Sequence, residues 1–514
     1  MKKFICLLFF SLSFYSIHLN GQGGYDIKFN LKGAKDTSMY LVKYTWDQQY
    51  IVDTCKKIKN GQVQFKGKQE LDKGVYTLVS QGMSIYFDLF VNENQKFVVN
   101  ADVADLVNTL KVSGSKENEN FFTYLKYISS RNSEFGKLRD QTKGKNHDDS
   151  LKFMNEKAVA FAKEAKEYDL AFLEKNKETF LADVINLRVE KEPTSVPKAS
   201  NGRPDSLYQY YWFKNHFFDG VDFKDERIIR TPFFDDRVKR YFESVIIQHP
   251  DSIILELDKM FAKCKEGNLV YNLLLGHYTY KFEQNKNKIF DRNGNSLSFE
   301  KVFIHLADKY IISGKAKGVY TDETVQKIKE RVDIIRNLLP GVPVAELYMI
   351  DTIHGKEVMK MGFDTCKSSK ALTDLYYKME PRLKPLYKTL SSVNAKYTVL
   401  VFWASDCGHC QTDIPKLKEH LDKVKSKIDF KVFAVQTKDD YEAWRKFIID
   451  KKLDFINVFD PMHLNNLKER FDINSTPVIY ILDRNKRIKV KGVASEQVTE
   501  LLEMFEKIEK EQTK

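Results

Sequence analysis

Lys396-Tyr397-Thr398-Val399-Leu400-Val401-Phe402-Trp403 runs without a break into Ala404-Ser405-Asp406-Cys407-Gly408-His409-Cys410. The first eight residues are almost all apolar or β-branched, the pattern of a strand covered on both faces. Ile414, Leu417, Leu421 and Val424 follow at helical spacing. A Cys-x-x-Cys pair therefore stands where a buried strand hands over to a helix. Two thiols at this spacing can close a small disulfide. The free N–H groups and dipole of the helix end favour a thiolate on the first cysteine. His409, between the two, adds a further cation when protonated.

Outward from this point, strand and helix patterns alternate. Residues 430–435 read as a strand, 439–451 as a helix, 455–459 as extended and 465–471 as a helix. Ser475-Thr476-Pro477 then leads into a strand at 478–482, a turn, a strand at 487–493 and a closing helix at 496–510. This alternation over 341–514 predicts an α/β domain. Other uses of the cysteine pair fit less well. A structural zinc site needs a second ligand pair, and Cys55, Cys264 and Cys366 are isolated. A c-type haem site needs His after the second cysteine, where Gln411 stands. An inert structural disulfide stays open as an alternative, although the exposed end of a buried strand favours a labile one. No metal and no organic cofactor is expected.

Residues 341–514 resemble the thioredoxin superfamily, in detail its TlpA-like envelope branch. The resemblance is carried by Val401 to Cys410, by the acid and proline in Cys410-Gln411-Thr412-Asp413-Ile414-Pro415, and by Ser475-Thr476-Pro477. It implies a cis peptide bond before Pro477, with Thr476 facing a Cys407–Cys410 disulfide. It also implies Cys407 as the attacking thiol and Cys410 as the resolving one, supported by Trp403 and His409. Asp413 occupies the place of a proton-relay acid. Two departures stand out. Val401 replaces the buried Asp of cytosolic thioredoxins, and Asp406 replaces the common aromatic before the first cysteine. A peroxidatic cysteine would sit in a Thr-x-x-Cys context, which Cys407 lacks.

The rest of the 514 residues reads as a multidomain chain: a small antiparallel β-sandwich, then an α-helical domain, then the thioredoxin-like domain. Short runs such as Ile27, Phe29 and Leu31 on one face predict strands over 24–113, with a hairpin expected across Asn60-Gly61 between 51–58 and 62–65. At Ser115 the period becomes helical and remains so over 115–338. The aromatic cluster from Tyr208 to Phe218 is expected in a helical core rather than on a ligand platform. Asn60 to Gly67, Val112 to Ser115, Asp225 to Pro232 and Gln248 to Ile253 resemble two companion domains of uncertain role. Those domains precede such thioredoxin modules in a group of Gram-negative bacteria.

Met1-Lys2-Lys3, an uncharged and mostly apolar run from Phe4 to Ile17 and a polar stretch to Gly21 predict a signal peptide over 1–21. The alternative is an N-terminal membrane anchor. Cys6 lies too early in the run for lipid attachment. Apolar residues make up 42% and charged residues 30%, which excludes wholesale disorder. The net charge of +12 is spread among alternating lysines and acids, so no nucleic-acid stripe is expected. These readings converge on a periplasmic thiol–disulfide oxidoreductase of the cell envelope. Its expected partners are exported proteins with thiols or disulfides and a membrane redox partner. The alternative is an envelope binding or adaptor protein with a structural disulfide in its last domain.

Overall fold

A computed structural model describes residues 23–83, 85–140, 142, 146–285 and 289–512. The expected signal peptide over 1–21 lies outside the described residues. Among those described, no helix is long and apolar enough to cross a membrane. The chain divides into two compact units at Ile246/Ile247.

The first unit opens with eight strands: β1 Tyr25–Lys32, β2 Met39–Thr45, β3 Gln48–Cys55, β4 Gln62–Gly67, β5 Gly74–Ser80, β6 Tyr86–Val91, β7 Lys96–Asp102 and β8 Lys111–Ser113. They form two four-stranded sheets, ordered β4-β1-β7-β8 and β3-β2-β5-β6. Ile27, Phe29, Leu31, Val63 and Phe65 from one sheet share a core with Met39, Leu41, Tyr76, Leu78 and Phe87 from the other. Pairing is antiparallel except between β1 and β7, which run parallel.

The hairpin expected across Asn60-Gly61 is not formed. Both turn residues have positive φ (51° and 73°), and Lys59 bridges Gln62, but the flanking strands part into different sheets. β3 is held along β2 from Met39↔Cys55 to Thr45↔Gln48, while β4 pairs with β1 and places Val63 and Phe65 beside Phe29 and Ile27. Two long ladders outweigh the single bridge that the turn can make.

Helices follow: α1 Leu106–Thr109, α2 Lys116–Asp140, α3 His147–Lys175, α4 Phe180–Asn186, α5 Ser206–His216 and α6 Phe234–Arg240. The aromatic cluster is split. Phe217 and Phe218 are buried, but Tyr208 and Tyr211 on α5 are exposed, so the expected core placement holds only for the end of the cluster.

The second unit begins with α7 Pro250–Lys263, α8 Leu269–Glu283, a two-residue ladder of β9 Ile289–Phe290 and β10 Ser296–Leu297, α9 Glu300–Leu306 and α10 Asp322–Arg336. The α/β module then runs through β11 Tyr348–Asp351, α11 Gly355–Met359, α12 Ser369–Leu383, β12 Tyr387–Thr389, β13 Tyr397–Trp403 and α13 Gly408–Asp422. It continues with β14 Phe430–Gln436, α14 Tyr441–Asp450, β15 Ile456–Phe459, α15 Leu467–Phe471, β16 Val478–Leu482, β17 Ile488–Lys491 and α16 Gln497–Gln512. The seven strands are ordered β12-β11-β15-β14-β13-β16-β17.

Every residue of β13 is buried. Val399, Val401 and Trp403 pack on one sheet face with Ile414 and Leu417 of α13 and Leu502 and Phe505 of α16. Leu400 and Phe402 pack on the other with Leu338, Phe471 and Tyr480. Cover on both faces is why this strand reads as an unbroken apolar run.

Candidate functional site

β13 ends at Trp403, and four residues later Cys407 takes the N-cap position of α13. The turn between them is pinned from the side. The Ser405 N–H donates to Gln436 Oε1 at 3.3 Å, Gln436 Nε2 donates back to Ser405 Oγ at 3.2 Å, and Gln411 Nε2 donates to the Ser405 carbonyl at 3.0 Å. Gln411 and Gln436 were not among the residues expected at the site. Gly408 faces open space where a Cβ would point, so close packing does not require glycine there.

The opposing wall comes from β16. Its antiparallel register on β13 pairs Phe402 with Val478, which sets Thr476-Pro477 beside the cysteines. The Thr476–Pro477 bond is cis, as the resemblance implies. The Cys407 Sγ–H donates to the Thr476 carbonyl at 3.3 Å.

The two thiols differ sharply. Cys407 is partly exposed and Cys410 is fully buried. Burial alone would raise the Cys407 pKa. Hydrogen bonds from the Thr476 side chain, from the Cys410 backbone and side chain and from the His409 amide outweigh it, and the thiol lies below its ordinary value of 9.0. Burial pushes the Cys410 thiol up to about 11, against a lowering contact from the Ala404 N–H at 3.5 Å. All described cysteines are free thiols. Cys55 and Cys366 are partly buried, and burial pushes the Cys264 thiol up to about 12.

The other expected site residues fall close by. Trp403 is buried, with its ring 5.2 Å from that of Phe447, and its indole N–H finds no hydrogen-bond partner among the described residues. His409 is exposed and Asp413 half-buried. Both line a cleft of about 530 Å³ together with Thr476 and Pro477. Lys416, His420 and Glu496 line the same cleft and were missed. Positions 409, 413, 416 and 420 share one face of α13, and that spacing was the signal available in the sequence. Asp406 is exposed at the mouth of the pair.

The arrangement holds an accessible, acidified thiol within reach of a buried, proton-retaining one. Such a couple can accept and release two electrons by disulfide exchange.

Residues 385–491 match the AhpC/TSA family, and residues 25–121 and 141–337 match two domains of unknown function, DUF4369 and DUF5106. Among solved structures, the chain is 33% identical to one described as a domain of a possible thiol-disulfide isomerase from Cytophaga hutchinsonii, covering 34% of this chain and 97% of that one, with a TM-score of 0.26. A thioredoxin-like protein from Bacteroides caccae is 14% identical over 61% of this chain and 99% of that one, with a TM-score of 0.35. The thioredoxin domain of a thiol-disulfide oxidoreductase from Bacteroides vulgatus is 20% identical over 32% of this chain and 96% of that one, with a TM-score of 0.25. No curated protein matches the chain.

Proposed function

The C-terminal module belongs to the thioredoxin superfamily, as a TlpA-like thiol–disulfide oxidoreductase, and from that premise we propose that the chain is exported and exchanges its Cys407–Cys410 couple with client proteins in the periplasm. The asymmetry of the two thiols carries this reading: one is accessible with a lowered pKa, the other buried and raised to about 11. The Cys407 thiolate attacks one sulfur of a client disulfide. That bond breaks, a client thiolate leaves and a mixed disulfide forms. Cys410 then loses its proton and attacks the Cys407 sulfur, releasing the second client thiolate. Two electrons pass from the dithiol to the client, and the same steps reversed oxidise a client dithiol.

Asp413 is the candidate acceptor for the Cys410 proton, because Val401 leaves no acid on the strand beneath the pair. A signal peptide over 1–21 would deliver the chain to the envelope, where a membrane electron donor or acceptor resets the couple. The full-length chain should accelerate repair of a mispaired disulfide in a test protein, and the Cys407→Ser variant should not. A wild-type rate equal to the uncatalysed one would refute the activity. Absence of the chain from envelope fractions would refute the export route, and an uncleaved N-terminus there would replace the signal peptide with a membrane anchor.

A further inference from the structure

We propose that Arg331, on a helix outside the thioredoxin-like fold, is a positioning residue for Cys407, acting through Asp472 and the loop that carries Thr476. This rests on the reading of Cys407 as the attacking thiol.

α10 is built into the module. Leu338, just past its end, lies in the same buried cluster as Phe402, Phe471 and Tyr480, and Ile334 packs against that cluster. Three residues before Ile334, the Arg331 guanidinium forms a fork on Asp472: Nη1 donates to Oδ1, and Nη2 donates to Oδ2 at 3.0 Å. Its Nε donates to Glu283 of α8 at 3.3 Å. The side chains of Arg331 and Asp472 are 28% and 21% exposed, so the pair is shielded from much of the solvent. A two-point contact fixes direction as well as distance, which a single lysine charge would not.

Asp472 caps α15 in the left-handed region, at φ 52°. A non-glycine residue keeps that conformation when its surroundings hold it. The same carboxylate accepts from Asn474 Nδ2 at 2.8 Å, which ties it to the next part of the loop. Two residues further on, the Thr476 carbonyl accepts from Cys407. Beyond the loop, the chain is fixed by the pairing of Val478 with Phe402. The segment that sets the environment of the Cys407 sulfur is thus a short span between two anchors. Arg331 holds the upstream anchor from a helix that belongs to the preceding helical segment.

Releasing that anchor lets Thr476 drift from the sulfur. Cys407 then loses both the Thr476 carbonyl, which favours the protonated thiol, and the Thr476 side chain, which favours the thiolate, and the second loss outweighs the first. Asp406, His409, Cys410 and Asp413 near it, Lys416 and His420 further along its helix, and Glu496 across the cleft all stay unchanged. The test is the rate of Cys407 alkylation by iodoacetamide against pH in the full-length reduced chain, read by mass on the peptide that contains Cys407. Arg331→Gln and Asp472→Asn should each slow alkylation at pH 7 by about three- to tenfold, because the rate follows the thiolate fraction. Arg331→Lys, which keeps the charge and loses the fork, should fall between them and wild type. Asn tolerates the left-handed backbone at 472, so Asp472→Asn carries the test if Arg331→Gln does not fold. A folded Asp472→Asn variant with the wild-type profile would overturn the proposal. Equal alkylation of Cys407 and Cys410 in the wild type would instead overturn the reading of Cys407, and this inference with it.

Discussion

The Cys407 sulfur lies 3.3 Å from the backbone oxygen of Thr476, although 69 residues separate them in sequence. The antiparallel register of β13 and β16 produces this contact. It leaves one sulfur at the surface against polar atoms and the other sealed beneath the helix. The carbonyl favours the protonated thiol, whereas the Thr476 side chain and the helix-end amides favour the thiolate, and the second set prevails.

The order of attack follows from that difference. Cys410→Ser should accumulate mixed disulfides between Cys407 and client proteins, because the resolving thiol is gone. Cys407→Ser should trap almost none. Non-reducing gels of envelope extracts, probed for the tagged chain, distinguish the two. Equal trapping by both variants would contradict the assigned roles.

The pH dependence of stability has opposite signs at the two sulfurs. The folded pKa of Cys407 is depressed, so its contribution is present above pH 9.0 and is lost as pH falls through the folded value. Cys410 is raised from 9.0 to about 11, so the folded state binds its proton more tightly than the unfolded state does. Stability of the reduced chain should therefore fall between pH 9 and pH 11, by on the order of 2 kcal/mol from this group. Denaturant unfolding of the reduced Cys410→Ser variant should show a shallower fall over that window. Parallel curves would place the Cys410 titration elsewhere.

Much of this site is legible in the sequence, because the change from an unbroken apolar run to helical spacing occurs at Cys407 itself. Its second wall is legible as Thr476-Pro477 leading into another apolar strand. What the pattern conceals depends on contacts distant along the chain. Arg331 and Asp472 are 141 residues apart, and neither interrupts a local period. Lys416 and His420 resemble an ordinary solvated helix face until the residues around Glu496 fold against them. Asn60-Gly61 misleads for the related reason that a good turn does not determine which sheets its two strands join.

Asp413 lines the cleft with His409 and Lys416, one turn along the helix from Cys410. If it accepts the Cys410 proton, Asp413→Asn should slow resolution of a preformed mixed disulfide by about 100-fold, the lower end of general acid–base effects. The pH dependence of that step should shift, while the unfolding midpoint stays close to wild type. Stopped-flow release of a chromogenic thiol measures the step directly. An unchanged pH–rate profile would reduce Asp413 to a half-buried helix acid.

His409 acts on Cys407 through its backbone. Its amide N–H is one of the groups that favour the Cys407 thiolate. Proline at this position would remove that donor together with the imidazole, while the second residue of α13 still suits the proline ring. Losing the donor raises the Cys407 pKa and destabilises the dithiol form relative to the disulfide, which makes the couple more reducing. The wild-type potential is expected between about −270 mV and about −180 mV, the values of thioredoxin and protein disulfide isomerase. Asp406, an exposed carboxylate one residue before Cys407, is expected to oppose this thiolate and hold the couple away from the oxidising extreme. His409→Pro should move the potential by about 20–30 mV in the negative direction, since a hydrogen bond is worth about 1 kcal/mol and 30 mV corresponds to about 1.4 kcal/mol for two electrons. His409→Ala keeps the amide and should move it less. Redox titration of the full-length chain against glutathione reads both shifts, and a His409→Pro potential equal to or less negative than wild type would show that the amide does not poise the couple.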